Sequence, residues 1–534
     1  MAKSTEPLFV LPYNQSVRIK AASNDHTMSD AGALLMRSVI ARTGLIEYLT
    51  ERLYDPRNQD RVQYSLAQLL LQWLLQLIQG WSALWTEQVC TDAAFGTSTS
   101  IERGAVEAGR TLASQPTMSR LLGLLSKADN PSHLEAAVQK LAIEHMLVRN
   151  GGRRCDEVVI DVDAMPMDVH GNQLGSAYHG HYKRTIFLPL IASCGESGDV
   201  LGAQLRPGNR REVTDCEDFL VSMADGVRQH AADRVIVRLD AGFNSGVVFT
   251  RLEAAGHHYL MRLRKNKVLE ALAAPYVEDC SYETKTYVEL EYGAQSWEKT
   301  RRVILVVKPR PGELFNDFYF LVTNLDADTH SGEVLAALYS RRGKAEMHQG
   351  EIKAICSLSF SSSPRAKSHY RNVPIAREDI AEADEDAEIQ AENAVRLQVY
   401  LLVYQLLHIG RCLWHSPPPP VGSEPDEVAP LAEGLHDTGP QSSGTDAALY
   451  ESTDAFSETA MEADGSAVAD TDSSSSELPH MHLRTFRLQV LKVGATLARH
   501  ARYVTFYIAL SAVQAWTRFW AHFQQLHWQS VPDI

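Results

Sequence analysis

Carboxylates at three places in this chain stand where chemistry needs them. Asp161 and Asp163 lie two apart in the β-branched run Glu157–Asp163, so on a strand both point to one face. Asp240 closes a second apolar run, Arg234–Asp240, and is followed by Ala241 and Gly242. Glu346 sits in Tyr339–Lys353, YSRRGKAEMHQGEIK, a proline-free stretch that reads as one helix despite Gly343 and Gly350. At about 100° per residue, Tyr339, Arg342, Glu346 and Lys353 fall within roughly 60° of one another on such a helix. One carboxylate among cations suits a metal ion bound beside a phosphate. Taken alone, the plainer reading of that helix is a solvated face with an Arg342–Glu346 i,i+4 pair. Ligands of open α/β sheets gather beyond the carboxyl ends of strands. If the two strands are neighbours, Asp163 and Asp240 lie side by side there and Glu346 closes the site from above. Three clustered carboxylates repel unless a divalent cation neutralises them. Oxygen-only donors suit Mg²⁺ or Mn²⁺. A pair of such ions about 3.5–4 Å apart activates a water or 3′-OH and stabilises the leaving oxygen. Zinc has no matching pattern: no CxxC occurs among the seven cysteines, and HGHY (His179–Tyr182) and His257-His258 lack a third ligand.

The elements that must position these residues follow from periodicity. Residues 1–25 read as an irregular lead-in. Apolar spacings of three and four predict helices in Ala33–Leu49, Leu66–Leu77, Met118–Leu125 and Leu134–Leu147. In LASQPTMSRLL (Leu112–Leu122), Pro116 with Ser114 and Gln115 marks a helix start. Arg120 then lies in a first turn whose free N–H groups favour phosphate or serve ordinary capping. From Cys155 the pattern changes to short strands alternating with helices, which implies a mixed α/β sheet. Residues 282–324 read as strands, Ala394–Leu413 as an apolar helix that packs on the core. Leu483–Arg502 reads as a basic amphipathic helix carrying Arg484, Arg487, Lys492, Arg499 and Arg502, continued by the aromatic-rich Phe506–Trp528.

Length and composition, at 534 residues with 45% hydrophobic and 22% charged, describe a multidomain globular chain. The run Leu66–Ile78 is too short and too polar to span a bilayer, and MAKSTEPLFVLPYN lacks a signal-peptide core. Scattered cysteines fit reduced thiols in a cytoplasm. The net charge of −15 is uneven: residues 376–480 hold 22 Asp/Glu against three Arg, so the remainder sums to +4. The total therefore does not exclude DNA. Residues 415–480, opened by Pro417–Pro420, read as a disordered acidic linker, either an inert insertion or a mimic of DNA that restrains basic surfaces.

Several stretches together resemble a bacterial insertion-sequence transposase with a DDE catalytic triad, of the group named after insertion sequence 1380 within the insertion-sequence 4 superfamily. Tyr339, Arg342, Glu346 and Lys353 match that superfamily's Y-(2)-R-(3)-E-(6)-K signature at every position. VIDVDAMPMDVHG (Val159–Gly171) resembles its first aspartate motif and VRLDAGF (Val237–Phe243) its second; YFLVTNL (Tyr319–Leu325), LASQPTMSR and LRTFRLQVLKVGATLARHAR resemble further group motifs. The resemblance implies Asp163, Asp240 and Glu346 as catalytic, metal-binding triad, with Asp161 the alternative first ligand because the hydroxyl residue of the family motif is replaced by Met165. It implies two Mg²⁺ ions, for which Mn²⁺ can substitute. It implies that Tyr339, Arg342 and Lys353 grip the DNA end and that Tyr319 stacks on a flipped base.

The fold expected from it is α/β. A helical DNA-binding domain (1–150) precedes a ribonuclease-H-like mixed-sheet core (151–270 and 329–414) interrupted by a β-rich insertion (271–328). The linker (415–480) and helical C-terminal segment (481–534) follow. The expected activity is binding of terminal inverted repeats, hydrolytic cleavage of the element's ends by way of hairpins, and joining of the 3′-OH to target DNA. The expected assembly is a homodimer on double-stranded DNA, in the cytoplasm on the nucleoid, with no membrane partner. The competing reading is a catalytically silent, transposase-derived DNA-binding regulator.

Overall fold

The computed structural model describes residues 9–10, 16–21, 29–81, 89, 92–100, 112–169, 176–211, 213–278, 284–310, 316–356, 382–415, 481–499 and 503–531. All belong to one compact unit; the acidic stretch 417–480 forms a second unit and lies outside the described residues.

Helices α1 (Ala33–Thr43), α2 (Leu45–Arg52), α3 (Leu66–Ile78), α4 (Ala93–Thr99), α5 (Gln115–Leu125) and α6 (Asn130–Arg149) come first. A capping box starts α3: the Gln68 N–H donates to Ser65 Oγ at 3.2 Å and the Ser65 N–H to Gln68 Oε1 at 2.8 Å. Gln72 and Gln76, which interrupt its apolar run, are buried. Gln72 trades hydrogen bonds with the Ala113 backbone at 2.9 and 2.8 Å, so its amide costs little to bury. Ser114 precedes α5 and Pro116 lies in its first turn, as the sequence predicts.

The main sheet has eight strands in the order β11-β12-β13-β10-β9-β3-β7-β8. The central strands are β3 (Cys155–Ala164), β9 (Ala232–Leu239) and β10 (His258–Leu263), paired in parallel. On one side β7 (Leu190–Cys194) and β8 (Val200–Gln204) form an antiparallel meander with β3. That order and direction are those of a ribonuclease-H-like core. On the other side β11 (Thr286–Tyr292), β12 (Arg301–Lys308) and β13 (Asp317–Thr323) prolong the sheet through an antiparallel β10–β13 pair. The strand-rich insertion is thus an extension of the core sheet. Three short strands, β4 (Met167–Asp168), β5 (Ala177–His179) and β6 (Arg184–Phe187), make a separate small sheet.

Alternation along the strands divides the two faces. Val158, Ile160, Val162, Val235, Val237 and Leu239 pack under α7 (Glu217–His230), α8 (Gly246–Ala254) and α9 (Lys267–Val277). Val159, Ile236, Leu260, Ile304 and Leu321 pack under α10 (Gly332–Ser340) through Leu335 and Ala336. Next come α11 (Gly343–Cys356) and α12 (Glu382–His415). α12 is longer than the expected Ala394–Leu413 and covers the β8 edge. There the Val200 N–H donates to Gln405 Oε1 at 3.0 Å, and Gln398 donates to Ala203 O at 2.9 Å.

Three expectations are corrected. Residues 1–25 contain β1 (Phe9–Val10) and β2 (Ser16–Ala21), since SVRIKA alternates apolar and polar residues with period two. Leu483–Arg502 is not one helix. Helical turns cover Leu483–Leu491, then β14 (Ala495–Arg499) and β15 (Tyr503–Ile508) form a hairpin, and α13 (Leu510–Gln525) follows. Val493-Gly494 breaks the helix, and the β-branched, aromatic YVTFYI favours a strand. β15 pairs in parallel with β2. Finally, Tyr339–Lys353 is split: Tyr339 lies in the last turn of α10, Arg341 and Arg342 turn, and Glu346 and Lys353 lie on α11. Ser340 Oγ donates to Ala337 O at 2.7 Å, and Gly343 lowers the cost of the break. No helix among the described residues is long and apolar enough to cross a membrane.

Candidate active site

The parallel strands β3 and β9 set the first two carboxylates side by side. Asp161 pairs in register with Arg238, so two residues further on Asp163 and Asp240 stand level where the strands end. Both lie on the face covered by α10. The Asp161–Arg238 pair is interior and bidentate, with Nε and Nη2 each 2.6 Å from a carboxylate oxygen, and both side chains are buried. Arg238 Nη1 also donates to Leu338 O, tying the sheet to the end of α10. Burial pushes the Asp161 carboxyl up, with Arg238 and Arg342 pulling against it.

Asp163 is less satisfied. Its Oδ1 accepts from the Ala164 N–H at 2.8 Å and its Oδ2 from Arg342 Nη2 at 2.5 Å. Burial pushes its carboxyl up to about 6; the Asp240 charge adds to that, and Arg342 opposes it. Asp240 caps the turn Ala241–Phe243, accepting from the Gly242 N–H at 2.7 Å. Tyr339 is half-buried; burial raises its phenol, Arg342 opposes the rise, and the Asp240 charge adds to it. Burial would lower the Arg342 guanidinium, but Asp163, Tyr339 and Asp240 keep it raised. The break between α10 and α11 is what lets Arg342 turn down onto Asp163.

Glu346 is exposed on α11. The opposite side of that helix is fixed by buried Ala345, Ile352 and Ile355 and by Glu351, whose carboxylate meets Arg411 Nη1 at 2.8 and 2.9 Å and the Leu483 N–H at 2.9 Å. Sequence reading missed this buried pair because its partner lies 60 residues away on α12. Lys353 is half-buried on α11. Level carboxylates of which one is pushed toward neutrality are a donor set that fits a hard divalent cation. Glu346 is not gathered with them to common-ligand distance. Among the described residues, the one His/Cys/Asp/Glu trio with ligand atoms within 4.8 Å of one another is His145, Asp199 and His408.

That trio lies away from the strand ends, between α6, the β7–β8 turn and α12. Asp199 is saturated: His145 Nδ1 and Gln405 Nε2 each lie 2.5 Å from Oδ1, and Ser197 Oγ donates to Oδ2 at 2.6 Å. Burial would raise the Asp199 carboxyl, but His145, His408 and Arg149 hold it well below the usual carboxylate range. Burial would lower His145, yet Asp199 raises it to about 9. His408 Nδ1 lies 2.6 Å from Arg411 Nη2, which can only donate. With its lone pairs already taken, the cluster acts as a charged clamp between helices and sheet.

The other sequence-derived contacts are scattered. Tyr319 is half-buried on β13 and packs against the same apolar cluster as Leu338 and Tyr339. Arg120 is exposed on α5, and Arg484 is exposed. Arg487 turns inward to Ile78 O at 2.8 Å, and burial lowers its guanidinium to about 10. Lys492 pairs with Asp30 at 2.6 Å over the Trp81 ring. Arg502 and the Arg499 side chain lie outside the described residues.

With the strand order, the level aspartates and the Y-R-E-K turn in place, the comparison with protein families is direct. Residues 12–371 match the family model "Transposase DDE domain group 1". The chain belongs to the DDE transposases. No curated protein matches it. Among solved structures, one similar chain comes from a "piggyBac transposase synaptic complex with hairpin DNA", at 12% identity and a TM-score of 0.33, covering 71% of this chain and 80% of that one.

Proposed function

We propose that this chain cuts and joins DNA as an active transposase of the insertion-sequence 1380 group, from a bacterium. The observation that carries the reading is the level Asp163–Asp240 pair, on which Arg342 of the signature already rests. Asp163, Asp240 and Glu346 would hold the divalent ions, Mg²⁺ or Mn²⁺; the interior pairing of Asp161 with Arg238 supports Asp163 over Asp161 in that role. Two bound ions would supply an activated water or 3′-OH and a stabilised leaving oxygen.

The chain's own residues do the rest. Arg342 balances the Asp163 charge while the site is empty of DNA, and its guanidinium suits a phosphate once that carboxylate is otherwise neutralised. Tyr339 and Lys353 flank it as contacts to the DNA end. The Glu351–Arg411 pair holds α11 so that Glu346 faces outward, toward the bound strand. Glu346 then closes on the aspartates when DNA binds, a movement of one turn and one short helix rather than of the sheet. The substrates are terminal inverted repeats and target DNA, with hairpin ends on the way. The working form is a homodimer in the cytoplasm.

The test is cleavage of DNA carrying the element's own ends, with Mg²⁺ or Mn²⁺, beside Asp240→Asn and Glu346→Gln. Nicks or hairpins lost in both variants while binding persists support the reading. Binding without cutting by the unmodified protein, with either metal, replaces it with a silent DNA-binding regulator.

A further inference from the structure

On the sheet face that carries the acid pair, the side chains change from acidic to basic within one strand. Met261 of β10 pairs with Leu239 of β9, so the next residue along, Arg262, stands level with Asp240. Arg262 in turn pairs with Leu321 of β13, and Tyr319, two residues away, shares the face. The Tyr319 ring has two cations on it: the Arg262 guanidinium carbon and Lys308 Nζ each lie 5.2 Å from its centroid. β10 then runs out into Arg264, Lys265 and Lys267, all exposed; Lys265 turns to the opposite face of the sheet, its Nζ 3.6 Å from the Phe318 ring centroid. Asp317, the nearest acid in this register, is taken by Arg310 at 3.7 Å. Among the described residues, Arg262, Arg264, Lys265, Lys267 and Lys308 make no ion pair.

A chain of net charge −15 repels DNA at long range, so attraction has to come from a local excess of cations. Most exposed arginines elsewhere on this core face a carboxylate, as Arg210, Arg251 and Arg234 do. The carboxyl end of β10 is different: five cations without carboxylates, three of them steadied on the Tyr319 and Phe318 rings, beginning level with Asp240. Aromatic faces hold the long side chains without neutralising them, which leaves their charge for a ligand.

We propose that this strand end, with Arg262, Arg264 and Lys308 on the Tyr319 side and Lys265 and Lys267 beyond it, is a phosphate track that grips duplex DNA beside the acid pair. DNA as the ligand rests on the transposase reading, but the track is tested by binding alone, so the two fail separately. Each phosphate contact releases condensed counterions and adds about 0.9 to the slope of log affinity against log salt.

The experiment uses the full chain, EDTA and a fluorescent 30-base-pair duplex of arbitrary sequence, with anisotropy titrations from 50 to 200 mM salt. Arg264→Ala/Lys265→Ala/Lys267→Ala is expected to lower the slope by about 2.7 and the affinity at least tenfold, with an unchanged thermal midpoint. Arg210→Ala/Arg251→Ala/Lys299→Ala removes the same charge from exposed cations that already have carboxylate partners, and is expected to leave the slope where it was. An unchanged slope in the first triple variant, an equal fall in the second, or no duplex binding by the unmodified chain overturns the track. A lowered slope in a protein that cuts nothing upholds it without the nuclease.

Discussion

Asp199 is a buried acid and Asp163 a half-buried one, and the protein treats them in opposite ways. Asp199 receives His145, Gln405 and Ser197 and is held well below the usual carboxylate range. Asp163 receives one backbone N–H and one arginine, faces Asp240 and is pushed up to about 6. A fully satisfied buried charge fixes the structure around it. A half-satisfied one beside a like charge costs stability, which is tolerated where a ligand will supply the missing charge. The clamp is therefore read as architecture and the strand-end pair as function.

The largest effect expected from that contrast is on catalysis. Asp163→Asn or Asp240→Asn should reduce end cleavage by at least about 10³-fold. Urea unfolding midpoints should stay at or above that of the parent, because a like-charge contact is relieved. A variant that unfolds instead would make Asp163 structural. At the clamp the prediction reverses. Asp199→Ala strands two imidazoles and should cost about 3–5 kcal/mol in urea unfolding, whereas a loss below about 1 kcal/mol would show that the clamp carries little.

Proton linkage sharpens the same contrast in chelator-treated protein. Asp163 ionises near 6 when folded but near 3.8 when unfolded, so the folded chain holds the extra proton between those values. Stability should fall as pH rises from about 4 to about 6 and then level off; Asp163→Asn should flatten that fall by about 1–3 kcal/mol. His145 carries the opposite signature. Its folded value is raised from 6.5 to about 9, so its contribution is complete below 6.5 and lost as pH rises through about 9. His145→Gln should abolish that alkaline loss. The smallest effect is at Lys492: replacement by Ala should cost about 1 kcal/mol through the loss of its bond to Asp30, with the salt slope of DNA binding unchanged. A lowered slope would return Lys492 to the DNA surface.

Much of the strand-end site was legible beforehand because local patterns carry it. Two acids at a spacing of two on a β-branched run must share a face, and Asp240 closes an unmistakable buried strand. What stayed hidden is non-local. Asp161 stood as the alternative to Asp163, and only the β3–β9 register shows Arg238 opposite it. Arg487 looked like a DNA contact, but its guanidinium bonds the last carbonyls of α3, which no one-dimensional pattern shows. The split after Tyr339 was invisible because Gly343 disfavours a helix by only about 1 kcal/mol, less than tertiary contacts decide. The clamp draws its members from residues 145, 199 and 408, too far apart for any spacing rule.

The parallel pairing of β2 with β15 joins residues 16–21 to residues 503–508. At synthesis rates of about 5–20 residues per second, β2 leaves the ribosome roughly 25–100 s before its partner exists. During that interval its open hydrogen-bonding edge and apolar Val17 need shelter. The helical region can collapse early, but the four-stranded sheet of β1, β2, β15 and β14 closes late. Its closure is a timestamp on the chain: a ribosome that stalls before residue 508 leaves a product with an unpaired strand, marked for chaperones or proteases.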